Sequence, residues 1–498
     1  MGNEIIVDIG ACENRVALLE DRELSEIYIE RPFVERIVGN IYRGKVSSVL
    51  PGMQAAFVDI GLERNAFLYV GDAVVRKEYT EEEDDMFQDV KGLNIEDILR
   101  PGQELTVQVI KESIGSKGPR VTTHVTLPGR HLVLLPNADY TGVSRRIENE
   151  AEKTKLKKIA EKFKPKGMGL IVRTASEGKE EEDFTQDLNF LLKLWESIGQ
   201  KERSGSVPRC IHKDLSLVYR AVRDLFTRDI DRFVINDRKQ HAKVLELVEM
   251  ISPALKYRVE YFSKSYDLFE YYQIESKIAR ALSRKVWLKC GGYLVIDRTE
   301  ALTVIDVNTG KFVGSSNLED TVLKANIEAA KEIAKQIRLR DIGGIIIIDF
   351  IDMIEHEHKQ MVLDALRQAL KRDRTKSTVV GMTGLGLIEM TRKKVRQELS
   401  TIMNTDCPYC EGTGRILSPE AVARNAEKEI SRYFGQTIAN AIQVEVHTTV
   451  AEVLKTDAGG VLSRLEEAFG KKIVLKASEE LKHEEIKIRD VDTNTLVC

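Results

Sequence analysis

Two apolar runs, each ending at an aspartate, constrain the fold of this 498-residue chain more than any other feature. The run in LTVIDVNTG ends at Asp306, with Asn308 two residues on, and the run in GGIIIIDFIDM ends at Asp349, with Asp352 beyond it. Short β-branched runs bounded by polar residues or glycine are typical of buried strands in an α/β sheet. Between the runs, apolar residues recur at spacings of three and four from Leu318 to Arg340, which predicts a long amphipathic helix.

A strand, a helix and a second strand form a βαβ unit. Because the crossover of such a unit is right-handed, the two strands run parallel and both aspartates come to the same sheet edge. Ligands of open α/β sheets gather at the carboxyl ends of the strands. Two carboxylates and a carboxamide placed there suit Mg²⁺, and so indicate metal-assisted phosphoryl transfer. The alternative, that each aspartate only caps the following helix, stays open.

The length predicts three to five structural units. No apolar stretch approaches the roughly 18 residues of a membrane span, and the start of the chain lacks the pattern of a signal peptide. We therefore expect a cytoplasmic protein without membrane association. The formal net charge of −4 conceals a basic block between Arg145 and Arg173, with ten Lys or Arg against four Glu. Such a block indicates phosphate binding, and a solvated helix face is the alternative.

A strand-rich, glycine-punctuated segment from about Val38 to Val121 is typical of a small barrel of the OB type. Phe57 and Phe67 fall in neighbouring strands of this barrel, with Arg64 between them. On an exposed barrel face, such aromatic side chains stack against the bases of a single strand. If they are buried, they belong to the core, and both interpretations remain open.

Only two of the six cysteines, Cys407 and Cys410, lie close together, which argues against a disulfide framework. Their C-x₂-C spacing is that of a zinc knuckle, but structural zinc takes four ligands and the chain has no second such motif. A redox dithiol needs a thioredoxin-like βαβ setting, which we do not expect here. Two protomers sharing one Zn²⁺ would form a symmetric dimer. A pair of free thiols in a loop is the alternative.

Taken in order, the motifs IDVNTG, GGIIIIDFIDM and CPYCEGTG resemble those of the ribonuclease E/G family of bacterial endoribonucleases, and the resemblance covers essentially the whole chain. It implies a Mg²⁺-dependent endoribonuclease that cleaves single-stranded RNA in rRNA processing and mRNA decay and leaves 5′-phosphate and 3′-hydroxyl ends. It also implies stimulation by a 5′ monophosphate on the RNA. A non-catalytic OB-fold RNA-binding or ribosome-associated factor is one competing hypothesis, and a phosphoesterase acting on DNA or a small phosphate ester is another.

The resemblance assigns roles to residues. Asp306 and Asp349 match the ligands of the catalytic Mg²⁺, and Asn308 matches the residue that orients one of them. Asp352 is a further candidate in the same string. The matches to the 5′-monophosphate pocket are Gly129, Val133, Arg145, Arg173 and Thr174, and the matches to RNA-contacting barrel positions are Phe57, Phe67 and Lys117. Separately, three cationic residues lie near the aspartate-bearing segments in the sequence and are candidates for neutralising the charge that develops during the reaction. They are Lys311, Arg392 and Lys393.

The resemblance also implies an α/β multidomain fold. An RNase H-like subdomain is expected from residues 1–36 and 215–278. An OB-fold barrel (37–121) and a 5′-monophosphate sensor (122–214) are expected as insertions into it. A DNase I-like catalytic α/β subdomain (279–400), a zinc-link (401–416) and a small α/β domain (417–498) are expected to follow. Cys407 and Cys410 of each protomer would share Zn²⁺ in a homodimer or tetramer. Asp8 ends the first strand without a matching acidic cluster, so we expect it to be structural.

Overall fold

The computed structural model describes residues 2–31, 33, 36–73, 94–112, 118–144, 147, 149–310, 318–456, 460–491 and 496. The predicted site residues Lys117, Arg145 and Lys311 lie outside these described residues. The chain forms two compact units, Met1–Ile402 and Met403–Cys498. No helix in the described ranges is long and apolar enough to cross a membrane.

The chain begins with an antiparallel meander and then closes a barrel. The meander strands are Asn3–Ile9 (β1), Asn14–Glu20 (β2) and Glu23–Glu30 (β3). The barrel strands are Ile41–Leu50 (β4), Ala55–Asp59 (β5), Ala66–Tyr69 (β6), Glu104–Lys111 (β7) and Arg120–Thr122 (β8). They pair in the order β4-β5-β6-β8-β7, and β7 pairs again with β4. This closure confirms the expected small barrel, which has five strands. Short helices at Pro51–Met53 (3-10), Val70–Ala73 (α1) and Ile95–Ile98 (α2) lie between its strands.

A four-stranded sheet follows the barrel. Its strands are Leu127–Pro128 (β9), Leu132–Leu135 (β10), Thr141–Val143 (β11) and Gly169–Val172 (β12), in the order β11-β12-β10-β9. Helices Glu150–Phe163 (α3) and Glu181–Glu202 (α4) pack against it, with a 3-10 turn at Thr174–Ser176. Asn149 caps α3, because its side chain accepts hydrogen bonds from the N–H groups of Ala151 and Glu152. Strand Arg209–His212 (β13) returns to pair with β4.

The next segment completes the sheet of the initial meander. It contains Leu217–Asp224 (α5), Ile230–Ile235 (β14), Arg238–Ile251 (α6), a 3-10 turn at Pro253–Arg258, Val259–Tyr261 (β15), Leu268–Tyr271 (α7) and Ile274–Leu282 (α8). The sheet order is β15-β14-β1-β2-β3, with β14 parallel to both of its neighbours. The barrel and the four-stranded sheet are thus inserted between the third and fourth strands of this sheet in chain order.

The last sheet of the first unit carries the two aspartates. Its strands are Lys285–Trp287 (β16), Tyr293–Arg298 (β17), Leu302–Asn308 (β18), Gly344–Asp349 (β19), Ser377–Met382 (β20) and Leu387–Arg392 (β21). Their order is β16-β17-β18-β19-β21-β20. Helices Leu318–Arg340 (α9) and His356–Leu370 (α10) bury their apolar side chains against one face of this sheet. The long helix therefore has the bounds that the sequence predicts. Helix Leu399–Met403 (α11) spans the boundary between the two units in the chain.

The second unit is a small α/β fold. It contains Pro419–Phe434 (α12), Ala441–His447 (β22), Thr448–Thr456 (α13), Val461–Phe469 (α14), Lys472–Ser478 (β23) and Ile486–Asp490 (β24). β22 and β23 are parallel and joined through two helices, and β24 pairs with β22 in the antiparallel sense. The small α/β domain expected there thus contains a βαβ unit after the cysteine pair, whereas the sequence analysis expected no thioredoxin-like βαβ setting for that pair.

Candidate active site and associated binding surfaces

The two aspartates lie side by side on the exposed face of their sheet. β18 and β19 are parallel, and Asp306 and Asp349 are direct register partners. Adjacent strands are about 4.8 Å apart, so the two carboxylates are close neighbours. Their strand neighbours Ile305 and Ile348 are buried against α9 and α10, which turns both aspartates to the opposite, exposed face. The predicted parallel pair with both aspartates at one edge is confirmed.

Asn308 and Asp352 complete the polar group around this pair. Asn308 Nδ2 donates a hydrogen bond to Asp306 Oδ2 at 2.8 Å, which fixes the orientation of that carboxylate. Partial burial raises the pKa of Asp349, and the negative charges of Asp306 and Asp352 raise it further. Several carboxylates that disfavour one another's charge are stabilised by a shared cation. These oxygen ligands fit a hard divalent cation such as Mg²⁺.

The structure does not bring Arg392 and Lys393 to the aspartates. Arg392 pairs with Gly344 at the start of β19, whereas Leu387 pairs with Asp349 at its end. Five residues of extended chain separate the two ends, which is roughly 17 Å. The Arg392 side chain is buried in ion pairs with Asp341 and Asp373, each at 2.7 Å. The prediction that these cations accompany the aspartates is therefore wrong, because closeness in sequence does not specify the end of the strand.

Helices α9 and α10, with the residue that precedes α10, bring together a second set of possible metal ligands. Glu319, Glu355 and His358 each offer a ligand atom within 4.8 Å of the others. His358 Nε2 lies 3.2 Å from Glu355 Oε2. Each of these helices follows one of the aspartate-bearing strands. The sequence analysis missed this group. Glu355 and His358 have the i, i+3 spacing of a ligand pair, but Glu319 lies in another helix, so no local pattern joins it to them.

Arg173 and Thr174 line a cavity of about 550 Å³. Among the residues that the structure describes, seven arginines and three aspartates line this cavity, so it is strongly cationic. Arg173 Nη1 lies 2.8 Å from a carboxylate oxygen of Asp224 and also donates to the Gly129 carbonyl oxygen. The sequence analysis missed Arg374, which lines the same cavity from a position 201 residues after Arg173 in the chain.

Gly129 and Val133 belong to the loop and strand beside Arg173. A Cβ atom on Gly129 would lie 2.5 Å from a carboxylate oxygen of Asp187, so a side chain at this position would displace that carboxylate. Asp187 accepts hydrogen bonds from the N–H groups of the three residues that follow Gly129, at 2.8–3.1 Å. Val133 lies half-buried on β10, opposite Ile171 of β12. The structure thus gathers the described members of the predicted pocket in one region.

The barrel places Phe57 and Phe67 on its outer face. They are register partners on β5 and β6, with ring centroids 6.1 Å apart in an edge-to-face arrangement. The residues that alternate with them, such as Val58 and Leu68, form the barrel core, whereas both phenylalanines remain half-exposed. Arg120 pairs with Phe67 in the neighbouring strand. Two accessible rings beside a cation form a surface of the kind on which bases stack.

The cysteine pair lies in a tight turn. The backbone N–H groups of Cys410 and Tyr409 and the Cys410 side chain lower the pKa of Cys407, which favours the thiolate that binds metal. Gly412, with φ of +87°, allows the turn to close. Within the described part of the chain, the only group of three or more possible metal ligands is the one on α9 and α10. The turn therefore presents two thiol ligands without a third from its own described surroundings.

A sequence model of the ribonuclease E/G family matches residues 126–395 of this chain. Ribonuclease G of Escherichia coli is 41% identical over 473 residues, which cover 95% of this chain and 96% of that protein. The chain belongs to the ribonuclease E/G family. Ribonuclease G of Haemophilus influenzae is also 41% identical, over 96% of this chain and 97% of its own length. Ribonuclease E of Escherichia coli is 38% identical over 91% of this chain and 42% of its own length.

The same comparison corrects one expectation about the cysteine pair. A model described as the thioredoxin-like domain of RNase E/G matches residues 406–491. Parallel β22 and β23 with their connecting helices form the βαβ unit that the sequence analysis judged absent. That judgement is wrong, because the segment was read without pairing its strands. Cys407 and Cys410 nevertheless come before the first strand of this βαβ unit in the chain, and the next helix after them begins only at Pro419.

Proposed function

We propose that this member of the ribonuclease E/G family is an endoribonuclease that hydrolyses phosphodiester bonds of single-stranded RNA. Cleavage leaves 5′-phosphate and 3′-hydroxyl ends and depends on Mg²⁺. The observation that carries the proposal is the direct register pairing of Asp306 and Asp349 on an exposed sheet face, with Asn308 bonded to Asp306. The 41% sequence identity to proteins named Ribonuclease G, over 95% of this chain, supports the proposal.

Asp306 and Asp349 would hold the Mg²⁺ ion. When bound at such a site, the ion lowers the pKa of a coordinated water and polarises a phosphoryl oxygen. Asn308 keeps the Asp306 carboxylate in one orientation through its 2.8 Å hydrogen bond. Asp352 adds negative charge near Asp349 and so favours binding of a cation there. The exposed sheet face leaves room for an extended RNA strand to reach the pair.

The cationic cavity around Arg173 would bind the 5′ monophosphate of the RNA. A guanidinium gives two parallel, charge-assisted hydrogen bonds to phosphate, and the exposed Thr174 hydroxyl adds another donor. Arg374 supplies a further guanidinium to the same cavity. A 5′ monophosphate on the substrate should therefore accelerate cleavage. Phe57 and Phe67 would stack against bases of the bound strand.

The cysteine turn would bind Zn²⁺ together with the same turn of a second protomer. Two thiolates from each chain complete the four ligands of a structural zinc site. We propose a homodimer, or a tetramer of two such dimers, that acts in the cytoplasm on rRNA precursors and mRNA. Substituting a cysteine of this turn and measuring the zinc content and assembly state of the protein tests the proposal.

Cleavage of a short single-stranded RNA tests the active site. Asp306→Asn and Asp349→Asn should each abolish Mg²⁺-dependent cutting while leaving RNA binding intact, because the loss removes a metal ligand and no RNA contact. Asp364→Asn, an exposed carboxylate on α10, is the matched control and should cleave like the parent protein. Normal turnover in both active-site variants would refute the assignment.

The 5′ end of the same RNA tests the cavity. A 5′-monophosphorylated RNA should be cut faster than its 5′-triphosphorylated counterpart, and Arg173→Gln should remove the difference. Equal rates in the parent protein would leave the nuclease assignment in place but exclude the sensor.

The outward-facing Phe57 and Phe67 also favour a second candidate function, an RNA-binding or ribosome-associated factor without catalysis. Tight RNA binding with no cleavage at any Mg²⁺ concentration would establish that alternative. Cleavage of an all-deoxy analogue at the same rate as RNA would instead indicate a phosphoesterase with a broader range of substrates.

A further inference from the structure

The edge of the aspartate sheet carries an aromatic cluster next to the catalytic pair. Trp287 of β16 is the register partner of Tyr293 of β17, and Tyr293 is the partner of Asn308 of β18. In the adjoining row, Lys285 is the partner of Val295, and Val295 is the partner of Asp306. Register partners on neighbouring strands point to the same face of a sheet. The cluster therefore shares the exposed face of the aspartates.

The three side chains of this cluster, Lys285, Trp287 and Tyr293, contact one another. The Trp287 and Tyr293 rings lie edge to face, with centroids 5.4 Å apart. The Lys285 ammonium lies 3.5 Å from the centroid of Tyr293 and 4.2 Å from that of Trp287. Two π surfaces and one cation are the components with which proteins hold an unpaired nucleotide.

Packing among the residues that the structure describes does not account for the position of Trp287. Its side chain is 59% exposed, whereas the apolar residues of β17 that face the helices, Leu294 and Ile296, are buried in the core. Adjacent aromatic rings exposed beside a cation form the kind of surface on which unpaired bases stack. The lysine gives this surface a positive charge, which matches the phosphate backbone of a nucleic acid and not an apolar partner.

The distances place the cluster within reach of the substrate at the cleavage site. One strand spacing of about 4.8 Å separates Tyr293 from Asn308, and two spacings separate Trp287 from it. A nucleotide next to the phosphate held at Asp306 would therefore extend over Tyr293 and Trp287. The barrel phenylalanines lie on a different sheet, so this surface would contact a different part of the strand.

We propose that Trp287, Tyr293 and Lys285 bind the nucleotide adjacent to the scissile phosphate. Its base stacks on Trp287, and the Lys285 ammonium lies near its phosphate. This inference rests on the proposed endoribonuclease function and assigns a nucleotide-binding subsite to it. Because stacking accepts every base, the surface holds the strand in position and selects single-stranded over paired RNA.

Two measurements test the subsite. The first places 2-aminopurine on either side of the cleavage site and follows its fluorescence in the non-cleaving Asp306→Asn protein. Stacking on Trp287 should quench the probe on one side, and adding Trp287→Leu should remove that quenching. The second measures steady-state cleavage, where Trp287→Leu should raise KM about tenfold, as expected for loss of one base–aromatic stack.

Controls separate this inference from its alternatives. Trp287→Phe should retain most of the affinity, and Phe190→Leu, an exposed aromatic position on α4, should change neither readout. Parent-like quenching and KM in Trp287→Leu would overturn the subsite while leaving the nuclease assignment intact. Absence of any cleavage by the parent protein would overturn the proposed function itself. Dissociation of an oligomer by Trp287→Leu, with quenching unchanged, would show that a second copy covers this face and would also overturn the subsite.

Discussion

His131 contacts both the segment that carries Arg173 and the first turn of α4. Its backbone carbonyl accepts hydrogen bonds from the Arg173 N–H and the Ser176 hydroxyl, each at 2.8 Å. Its ring is buried against Phe184, and neither ring nitrogen has a hydrogen-bond partner among the residues that the structure describes. Burial lowers the pKa of His131 from 6.5 to about 4. The side chain is therefore neutral in the folded protein near pH 7.

This residue predicts a pH dependence of stability. Between pH 6.5 and about pH 4, the unfolded chain binds a proton at His131 that the folded chain does not. The free energy of unfolding should therefore fall as the pH is lowered through this range, by at most about 1.4 kcal/mol per pH unit from this group. His131→Leu should remove that contribution. Denaturant unfolding at several pH values checks this, and an unchanged pH slope in His131→Leu would contradict it.

At the scale of elements, α9 positions the strand end that carries Asp349. Asn326 is fully buried on this helix, and its side chain donates to the Ile351 carbonyl oxygen at 2.8 Å and accepts from the Ile351 N–H at 3.2 Å. These two bonds hold the chain between Asp349 and Asp352 against the helix. A buried asparagine on this helix thus acts as a positioning residue.

Replacing Asn326 should therefore affect both stability and catalysis. Asn326→Leu leaves the partly buried Ile351 N–H and carbonyl groups without their partners, which costs about 1–3 kcal/mol for each unsatisfied group. We expect a lower free energy of unfolding and a reduced kcat with little change in KM, since the metal ligands shift but the RNA contacts remain. Lys324→Ala, at an exposed position of the same helix, is the matched control. Parent-like kcat in a destabilised Asn326→Leu protein would limit this residue to a structural role.

At the scale of the whole molecule, sites are assembled from distant segments. The residues that line the cavity around Arg173 are spread along the chain, the first being Tyr28 and the last Arg396. The cavity therefore forms only when the initial meander, the four-stranded sheet and the segments around the sheet of Asp306 pack together. The proposed zinc site requires a second molecule, because the described part of each chain contributes only its two thiols.

Zinc removal should accordingly change the assembly. Cys407→Ser should lose bound zinc and shift the protein from dimer to monomer in sedimentation experiments, because a shared site needs both thiolates of each chain. Cys12→Ser, an exposed cysteine in the first unit, should leave zinc content and assembly unchanged. The shared site also predicts half a zinc ion per chain. One zinc ion per monomeric chain would contradict it.

The amino-acid sequence by itself determined those features that depend on neighbours along the chain. Helix α9 has the predicted bounds, and the apolar runs that end at Asp306 and Asp349 lie in parallel strands. Hydrophobic periodicity and capping residues are local properties, so they can be read without knowing the tertiary contacts. The closed barrel followed from the same local alternation of strands and turns.

Only the tertiary structure decided which side chains meet. The strand register places Arg392 at the opposite end of β19 from Asp349, and it places Trp287 in the same cross-strand row as Asn308. Helix packing joined Glu319 to His358, and pairing of β22 with β23 revealed the βαβ unit that the sequence analysis had judged absent. These outcomes depend on contacts between residues far apart in the chain. The side-chain periods of strands and helices specify the face on which a residue lies, but not the partner that it finds there.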